Sequence, residues 1–582
     1  MSQRSDPLTV ALTGQLSFIL IVSAVLALAA SYLLLRLYRR AVIKSMRRRS
    51  RSEILEPKGY LPPEAEHKPN DAPLNFSIVT RDRARANRDA AKLYHSANRR
   101  QWLIAFVHII AGCCFAAAMT AAFLTAGKMS FSPFRFAFLT WVNAWPVLMA
   151  IDLAVGLSRR GKTIGALVYF LIGGVIGTIV LAKNPGMPIG QLLYLWLEFN
   201  AAPTILLLVF LNRRIRALGP LVLVFMILGV TGASLVVTLI GNNLKLLKAV
   251  SDFSHSIGLS AFGTMVALHF IGFAAFAIVG WVILGLLRRF YENKYVSEQS
   301  IIIDAMWLFF GIVNSIGLVF EGRLWIFSGL AAFTLYKLVA VGLFRLLGIA
   351  RRAKSDGDRL LLLRVFALGK RSENLYDIFG KSWRTVGSMQ MIAGPDLATS
   401  TIEPHEFLDY VSGKLDRRFI DSGRTLDLRI GHMDLEPDGE GQFRVTEFFC
   451  HDDTWKLTLG RLAGESDAVL MDLRGFSQHN AGCVFEINEL FNLIPLERVV
   501  FAIDQTTDQG FMHHTMQRAW RQVKELSPNR GRGAGQISLV QLTNGRTFDD
   551  LLFALCAAAR AKTSQTDATA LKADIDDRTF SW

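Results

Sequence analysis

Nine apolar stretches, each long enough to cross a lipid bilayer, fill most of this chain between residues 10 and 348. They lie near 10–35, 103–127, 135–157, 163–182, 189–211, 219–241, 259–287, 301–320 and 324–348. An α-helix needs roughly 20 apolar residues to cross the hydrocarbon layer, so each stretch reads as a transmembrane helix. The pattern predicts an α-helical polytopic membrane bundle of nine transmembrane helices, with the lipid bilayer as its first partner. From about Arg351 onward the composition changes to that of a soluble domain.

The net charge of +16 is read loop by loop in such a chain, and it gives no support to a nucleic-acid partner. Basic clusters follow the first span (Arg36, Arg39, Arg40, Lys44, Arg47, Arg48, Arg49, Arg51) and the third (Arg159, Arg160, Lys162). Others follow the fifth (Arg213, Arg214, Arg216), the seventh (Arg288, Arg289) and the ninth (Arg351, Arg352, Lys354). The intervening connections are poor in Lys and Arg. Positive charge gathers on the cytoplasmic side, so the N-terminus is expected outside, the C-terminal domain in the cytoplasm, and the whole in the plasma (inner) membrane. The first apolar stretch is too long for a signal peptide, and its basic residues follow it, so it reads as an uncleaved anchor. The expected organisation is an anchor (1–35), a basic cytoplasmic loop (36–102), a multi-span domain (103–350), a cytoplasmic domain (351–562) and a flexible tail (563–582). Within the loop, Arg81–Arg100 mixes Ala and Leu with many charges and reads as a helix on the membrane surface. The cysteines form no disulfide framework and no zinc spacing, so no metal is expected.

Gly156-Leu-Ser-Arg-Arg-Gly161-Lys162-Thr163 fits the phosphate-loop pattern letter for letter. A phosphate cradle needs a strand before its glycines and a soluble helix after them, and here an apolar span stands on each side. Nucleotide binding is rejected there. Ionisable side chains inside the spans are costly and mark functional sites or structural pairs. Glu198 and Lys337 lie deepest and are candidates for one ion pair; Asp152, His269 and His108 are further intramembrane polar candidates.

The cytoplasmic domain alternates short apolar runs with helical patterns. The runs are Leu360–Leu368, Met389–Ala393, Ala468–Gly475, Arg498–Asp504 and Ile537–Leu542; a capping box at Ser400 to Glu403 opens one of the helices. This rhythm predicts an α/β domain with a five-stranded, flavodoxin-like parallel sheet, while residues 421–452 read as an insertion. In such sheets ligands bind at the carboxyl ends of the strands, where the order reverses between the first strand and the third. That selects Gly369–Asn374, which includes Ser372, and the stretch from Asp472 through Arg474, Ser477, Asn480 and Cys483 to Glu486 and Glu489.

Five β/α units with Ser477…Cys483-Val-Phe-Glu486 resemble the Toll/interleukin-1 receptor (TIR) fold, in which Cys-x-x-Glu follows the third strand. Ala481 and Gly482 stand where that family has Ser and Trp. Asn480-x-Gly482…Glu486 is also similar to the nucleoside deoxyribosyltransferase-like relatives. The resemblances imply that Glu486 is catalytic, that Asp472, Arg474, Asn480 and Ser372 bind substrate, and that NAD or a related nucleotide loses its base at the N-glycosidic bond. No cofactor is implied beyond NAD as substrate. The function expected is a membrane sensor or anchor with a TIR-like cytoplasmic domain. The alternatives are a transporter or channel with a regulatory domain, and a non-catalytic interaction module that forms homo-oligomers through this domain.

Overall fold

The computed structural model describes residues 7–47, 69–79, 88–183, 186, 188–210, 212, 215, 218–295, 297–349, 357–365, 379–393, 410–411, 413, 415–531, 533–542 and 548–561. The chain divides into two compact units. One holds residues up to Arg39, Ala105–Leu346 and Thr401–Gly413. The other holds Arg40–Ile104, Leu347–Ser400 and Lys414 onward.

The first unit is built of helices: α1 (Pro7–Met46) up to Arg39, α2 (Arg88–Ala126) from Ala105 on, α3 (Pro133–Asn143), α4 (Pro146–Val155), α5 (Arg159–Lys183), α6 (Ile189–Phe210), α7 (Gly219–Gly241), α8 (Leu244–Ser256), α9 (Ala261–Glu292), α10 (Glu298–Leu318) and α11 (Ser328–Leu346). Eight of these are long and apolar enough to cross a membrane, and α3 with α4 makes a ninth span bent by 43° if the pair is counted as one. The bend follows from Pro146, which has no amide hydrogen to continue the ladder. Side chains take up the carbonyls around the break. Asn143 Nδ2 donates to Leu139 O, Tyr169 Oη donates to Trp141 O, and Asn200 Nδ2 donates to Val142 O, at 2.9 to 3.0 Å. Helix α6 runs through Pro203 without ending.

Close helix crossings depend on glycine. A Cβ added to Gly272 on α9 would stand 2.6 Å from Gly232 O and 2.8 Å from Ala233 Cα on α7, whereas one added to Gly285 would meet nothing within 4 Å.

The second unit is an eight-stranded sheet of parallel strands: β1 (Leu74–Ile78), β2 (Leu360–Arg364), β3 (Met389–Ala393), β4 (Phe419–Ile420), β5 (Val445–Cys450), β6 (Ala468–Asp472), β7 (Val499–Ile503) and β8 (Gly535–Gln541). Their order is β1-β8-β7-β6-β2-β3-β5-β4, and every neighbouring pair is parallel. The five strands expected from sequence are β2, β3, β6, β7 and β8. They lie in the flavodoxin-like order 2-1-3-4-5. The expected count of five is corrected to eight among the described residues. Strands β4 and β5 extend one edge, and part of the stretch read as an insertion is sheet. Strand β1 extends the other edge and comes from the loop between the first two spans.

The sheet is apolar on both faces, as parallel sheets covered by helices are. Leu361, Leu363, Val469, Met471, Phe501 and Leu539 face one core, with helices α12 (Gly423–Gly431), α13 (Trp455–Glu465), α14 (Ala481–Leu493) and α15 (Gln509–Arg521). Leu360, Leu362, Met389, Leu470 and Val500 face the other core, with Trp383 and Leu551, Leu555 and Ala558 of α16 (548–561). Ala90, Tyr94 and Ala97 of α2 are buried in that second core. The reading of Arg81–Arg100 as a helix on the membrane surface is therefore corrected from Arg88 onward. Its small and aromatic residues cover a sheet, and residues 81–87 lie outside the described residues.

Replacing Gly272 by Ala is expected to lower the thermal stability of the detergent-purified protein by about 1–3 kcal/mol through overpacking. Gly285→Ala on the same helix, with open space around it, is expected to be neutral or slightly stabilising. Thermal unfolding of the two variants beside the parent chain is the check.

Candidate functional site

The reversal of strand order falls between β2 and β6. Arg364, the last residue of β2, sits in register with Asp472, the last residue of β6. Asp472 is buried and holds Arg474 in two parallel hydrogen bonds, from Nε to Oδ1 at 2.8 Å and from Nη2 to Oδ2 at 2.6 Å. The Arg474 amide also donates to Oδ1. The spacing explains this. Two residues past a strand end, an arginine can fold back on the strand's last carboxylate, and the planar fork matches it. Asp472 and Arg474 are thus paired with each other at the strand end where the substrate-binding role was expected.

The loop that follows is held by its own polar groups. Asn480 Oδ1 accepts from the Ser477 amide at 2.8 Å and from Ser477 Oγ at 3.2 Å, so Asn480 closes the turn into α14. Thr507 Oγ1, after β7, donates to Leu473 O, and the Asp508 amide donates to Phe476 O. These bonds tie the loops after β6 and β7 together. Ser372 and the rest of Gly369–Asn374 lie outside the described residues, as does the capping box at Ser400.

Glu486 lies in the second turn of α14, on the face turned toward the sheet, and is 2% exposed. Its Oε2 has no hydrogen-bond partner among the described residues. Burial pushes its carboxyl up to about 8, against the opposing pull of the Arg364 guanidinium and a hydrogen bond from Cys483. The Cys483 Sγ also lies 3.7 Å from Arg364 O. Glu489, three residues on, is half-buried. The sequence left these two glutamates side by side; the structure separates them by burial. Burial thus favours the protonated form of Glu486, in which the carboxyl can donate a hydrogen bond. Arg364 was missed in the sequence, although it is the one charge in the run Leu360–Leu368.

The intramembrane candidates separate in a similar way. Lys337 on α11 does not pair with Glu198. It donates to Asp304 and, at 3.0 Å, to Ser300 Oγ, both on α10. Glu198 is exposed on α6 and has no ion pair among the described residues. Asp152, near the end of α4, accepts from Lys162 Nζ at 2.6 Å and from the Leu157 amide at 3.1 Å. Lys162 is thereby engaged, and Gly161-Lys162-Thr163 lies in the first turn of the apolar helix α5, which supports rejection of the phosphate-loop reading. His269 donates to Met265 O of its own helix at 2.8 Å. His108 on α2 meets Tyr336 Oη at 2.9 Å, and both are buried. Asp304 was missed. Its signal was the spacing Ser300, Asp304, Trp307, which puts three polar-bearing side chains along one face of a helix.

No match to this chain was found among protein-family models, curated proteins or solved structures.

The Lys337–Asp304 pair has a direct test. Asp304→Asn or Lys337→Met alone leaves an uncompensated charge in apolar surroundings and is expected to cost about 3–5 kcal/mol. The double variant is expected to cost much less than the sum. Thermal unfolding in detergent of the two singles and the double measures the coupling.

Proposed function

We propose that this chain is a multi-pass protein of the plasma membrane whose cytoplasmic α/β domain, similar in plan to TIR-like domains, cleaves the N-glycosidic bond of a nucleoside or nucleotide. The observation that carries the reading is Glu486: buried, with one carboxyl oxygen without a hydrogen-bond partner among the described residues, its carboxyl pushed up by burial, beside the reversal of strand order. The alternation of basic loops supports the cytoplasmic placement of the domain.

A neutral carboxyl suits one role in this chemistry, general acid. As the bond between C1′ and the base breaks, its electron pair stays with the base, and Glu486 gives its proton to a basic ring nitrogen of that base and becomes a carboxylate. Water adds to C1′, and the proton it releases restores the acid. Positive charge on the ribose at the transition state is favoured by the new carboxylate, by analogy with glycoside hydrolysis. Purine nucleosides and nucleotides, whose bases need a proton to leave, are the favoured substrates. NAD is the other arm of the test. Its nicotinamide leaves as a neutral base without a proton, and an ionised Glu486 would serve it.

Those two roles give opposite pH dependence. With Glu486 as acid, base release by the purified full-length protein is expected to fall as pH rises through about 8. With Glu486 as anion it would rise over the same range. Glu486→Gln is expected to abolish base release while leaving the protein folded. The stability sign is also fixed. The folded-state carboxyl sits above its unfolded value, so its contribution is full at low pH and is lost as pH rises from about 4.5 to about 8. The glutamine variant should therefore be more stable than the parent at pH 8.5, with the gap closing toward pH 4. Unchanged base release in the variant would sink the assignment.

A second reading is favoured by one feature of the other unit: an Asp304–Lys337 ion pair at membrane depth, in a unit that also contains the broken span α3–α4. Such features line solute or ion paths in transporters. Solute or ion flux into proteoliposomes, abolished by Asp304→Asn, would favour it.

A further inference from the structure

Helix α8, which the membrane-spanning pattern does not absorb, is short, amphipathic and tied at both ends to spans. Two residues, Asn242 and Asn243, separate it from α7, and four, Ile257 to Ser260, separate it from α9. At roughly 3.5 Å per Cα–Cα step, with three and five steps between the helix ends, these links reach no further than about 10 and 18 Å. Both are fixed by caps. Asn243 Oδ1 accepts from the Lys245 and Leu246 amides, and Ser260 Oγ accepts from the Gly263 amide. Gly258 takes the left-handed conformation at φ 74°, which makes the turn back into α9. The spans it joins are locked together, with Gly229 against Phe273, Gly232 against Phe276 and Gly272 against the Gly232 backbone. A helix roughly 20 Å long, held at both ends by such short links, cannot leave the boundary of the bilayer.

Its side chains divide by the same geometry. At about 100° per residue, Leu246, Val250, Phe253 and Ile257 fall within an arc of roughly 60°. Lys245, Lys248, Asp252 and His255 fall on the opposing side together with Leu244, and Leu247 lies between the two. Ser254 is buried, while Leu246, Phe253 and Ile257 are 47%, 66% and 55% exposed. The apolar side thus extends well beyond what the protein covers.

We infer that α8 is an interfacial helix docked on a phospholipid surface, with Leu246, Phe253 and Ile257 in the outer acyl region and Lys245 and Lys248 at the level of the headgroup phosphates. The occupant follows from the short links to two membrane-spanning helices. Whatever covers the exposed apolar side must lie at the bilayer edge, where lipid is the surrounding medium. Apolar residues on one side and lysines on the other are what that boundary selects. Lysine stems place their charge in the phosphate layer while their methylenes remain beside the chains.

The test uses full-length protein in nanodiscs of phosphatidylcholine and phosphatidylglycerol. Cys113 and Cys114 are replaced by Ser; Cys450, Cys483 and Cys556 are buried. Single spin labels are then introduced in place of Lys245, Leu246, Lys248, Asp252, Phe253 and Ile257. Accessibility to oxygen, which concentrates in lipid, is compared with accessibility to a water-soluble nickel chelate. The expected result is a several-fold higher oxygen-to-nickel ratio at Leu246, Phe253 and Ile257 than at Lys245, Lys248 and Asp252. A nickel-dominated signal at all six positions would place the helix in water and overturn the inference. Low accessibility to both reagents at Leu246 and Phe253 would overturn it too, because protein, such as a second copy of the chain, would then cover that side.

Discussion

Backbone hydrogen bonding away from water governs both units of this chain. A buried amide or carbonyl without a partner costs as much as a lost hydrogen bond, and in hydrocarbon no solvent can supply one. Long helices satisfy that demand internally. Where the helix breaks at Pro146, the chain places Asn143, Tyr169 and Asn200 so that their side chains donate to the carbonyls around the break. The end of α1 is treated in the same way. Ser45 O accepts from His451 Nδ1, and Met46 O accepts from the Asp452 amide. The sheet meets the demand by pairing eight strands in parallel, with helices over both apolar faces.

Glu486 Oε2 is one of several buried side-chain oxygens without a hydrogen-bond partner among the described residues. Glu486 Oε2 lies in a helix face that is otherwise apolar, beside Cys483, Ile487 and Leu490. Keeping a carboxyl there costs desolvation, which the chain meets by keeping it protonated. A leucine at that position would avoid the cost. The same burial that destabilises the anion makes the acid a stronger candidate for proton donation than any exposed glutamate of this domain. Asp472, equally buried, differs in having both oxygens hydrogen-bonded by the Arg474 guanidinium.

The sequence was most legible where periodicity was strong. Long apolar runs marked the spans, and Val- and Leu-rich runs marked β2, β6 and β7. It was least legible where elements are short or where partners are remote. Strand β1, Leu-Asn-Phe-Ser-Ile, alternates correctly but lies in a basic, Pro-containing loop hundreds of residues from its partner β8, so nothing local announces the pairing. Strand β4 has two residues, too few for any period. Helix α2 reads as one apolar span from Trp102, yet its first turns carry Ala90, Tyr94 and Ala97 into the sheet core, and that spacing is masked by the charges between them. At the candidate site, the position of Glu486 was readable from the strand-helix rhythm. Its protonation was not, because burial is a property of the packed helix. Lys337 was readable by its depth, while its partner Asp304 required knowing which helices touch.

Infrared spectroscopy of the purified protein tests most directly whether Glu486 is a carboxylic acid at neutral pH. A carbonyl band of a protonated carboxyl is expected at pH 7, absent from the Glu486→Gln variant and disappearing as pH is raised through about 8. The same spectrum in parent and variant at pH 7, with no band lost, would mean that Glu486 is ionised in the folded protein and would contradict the account.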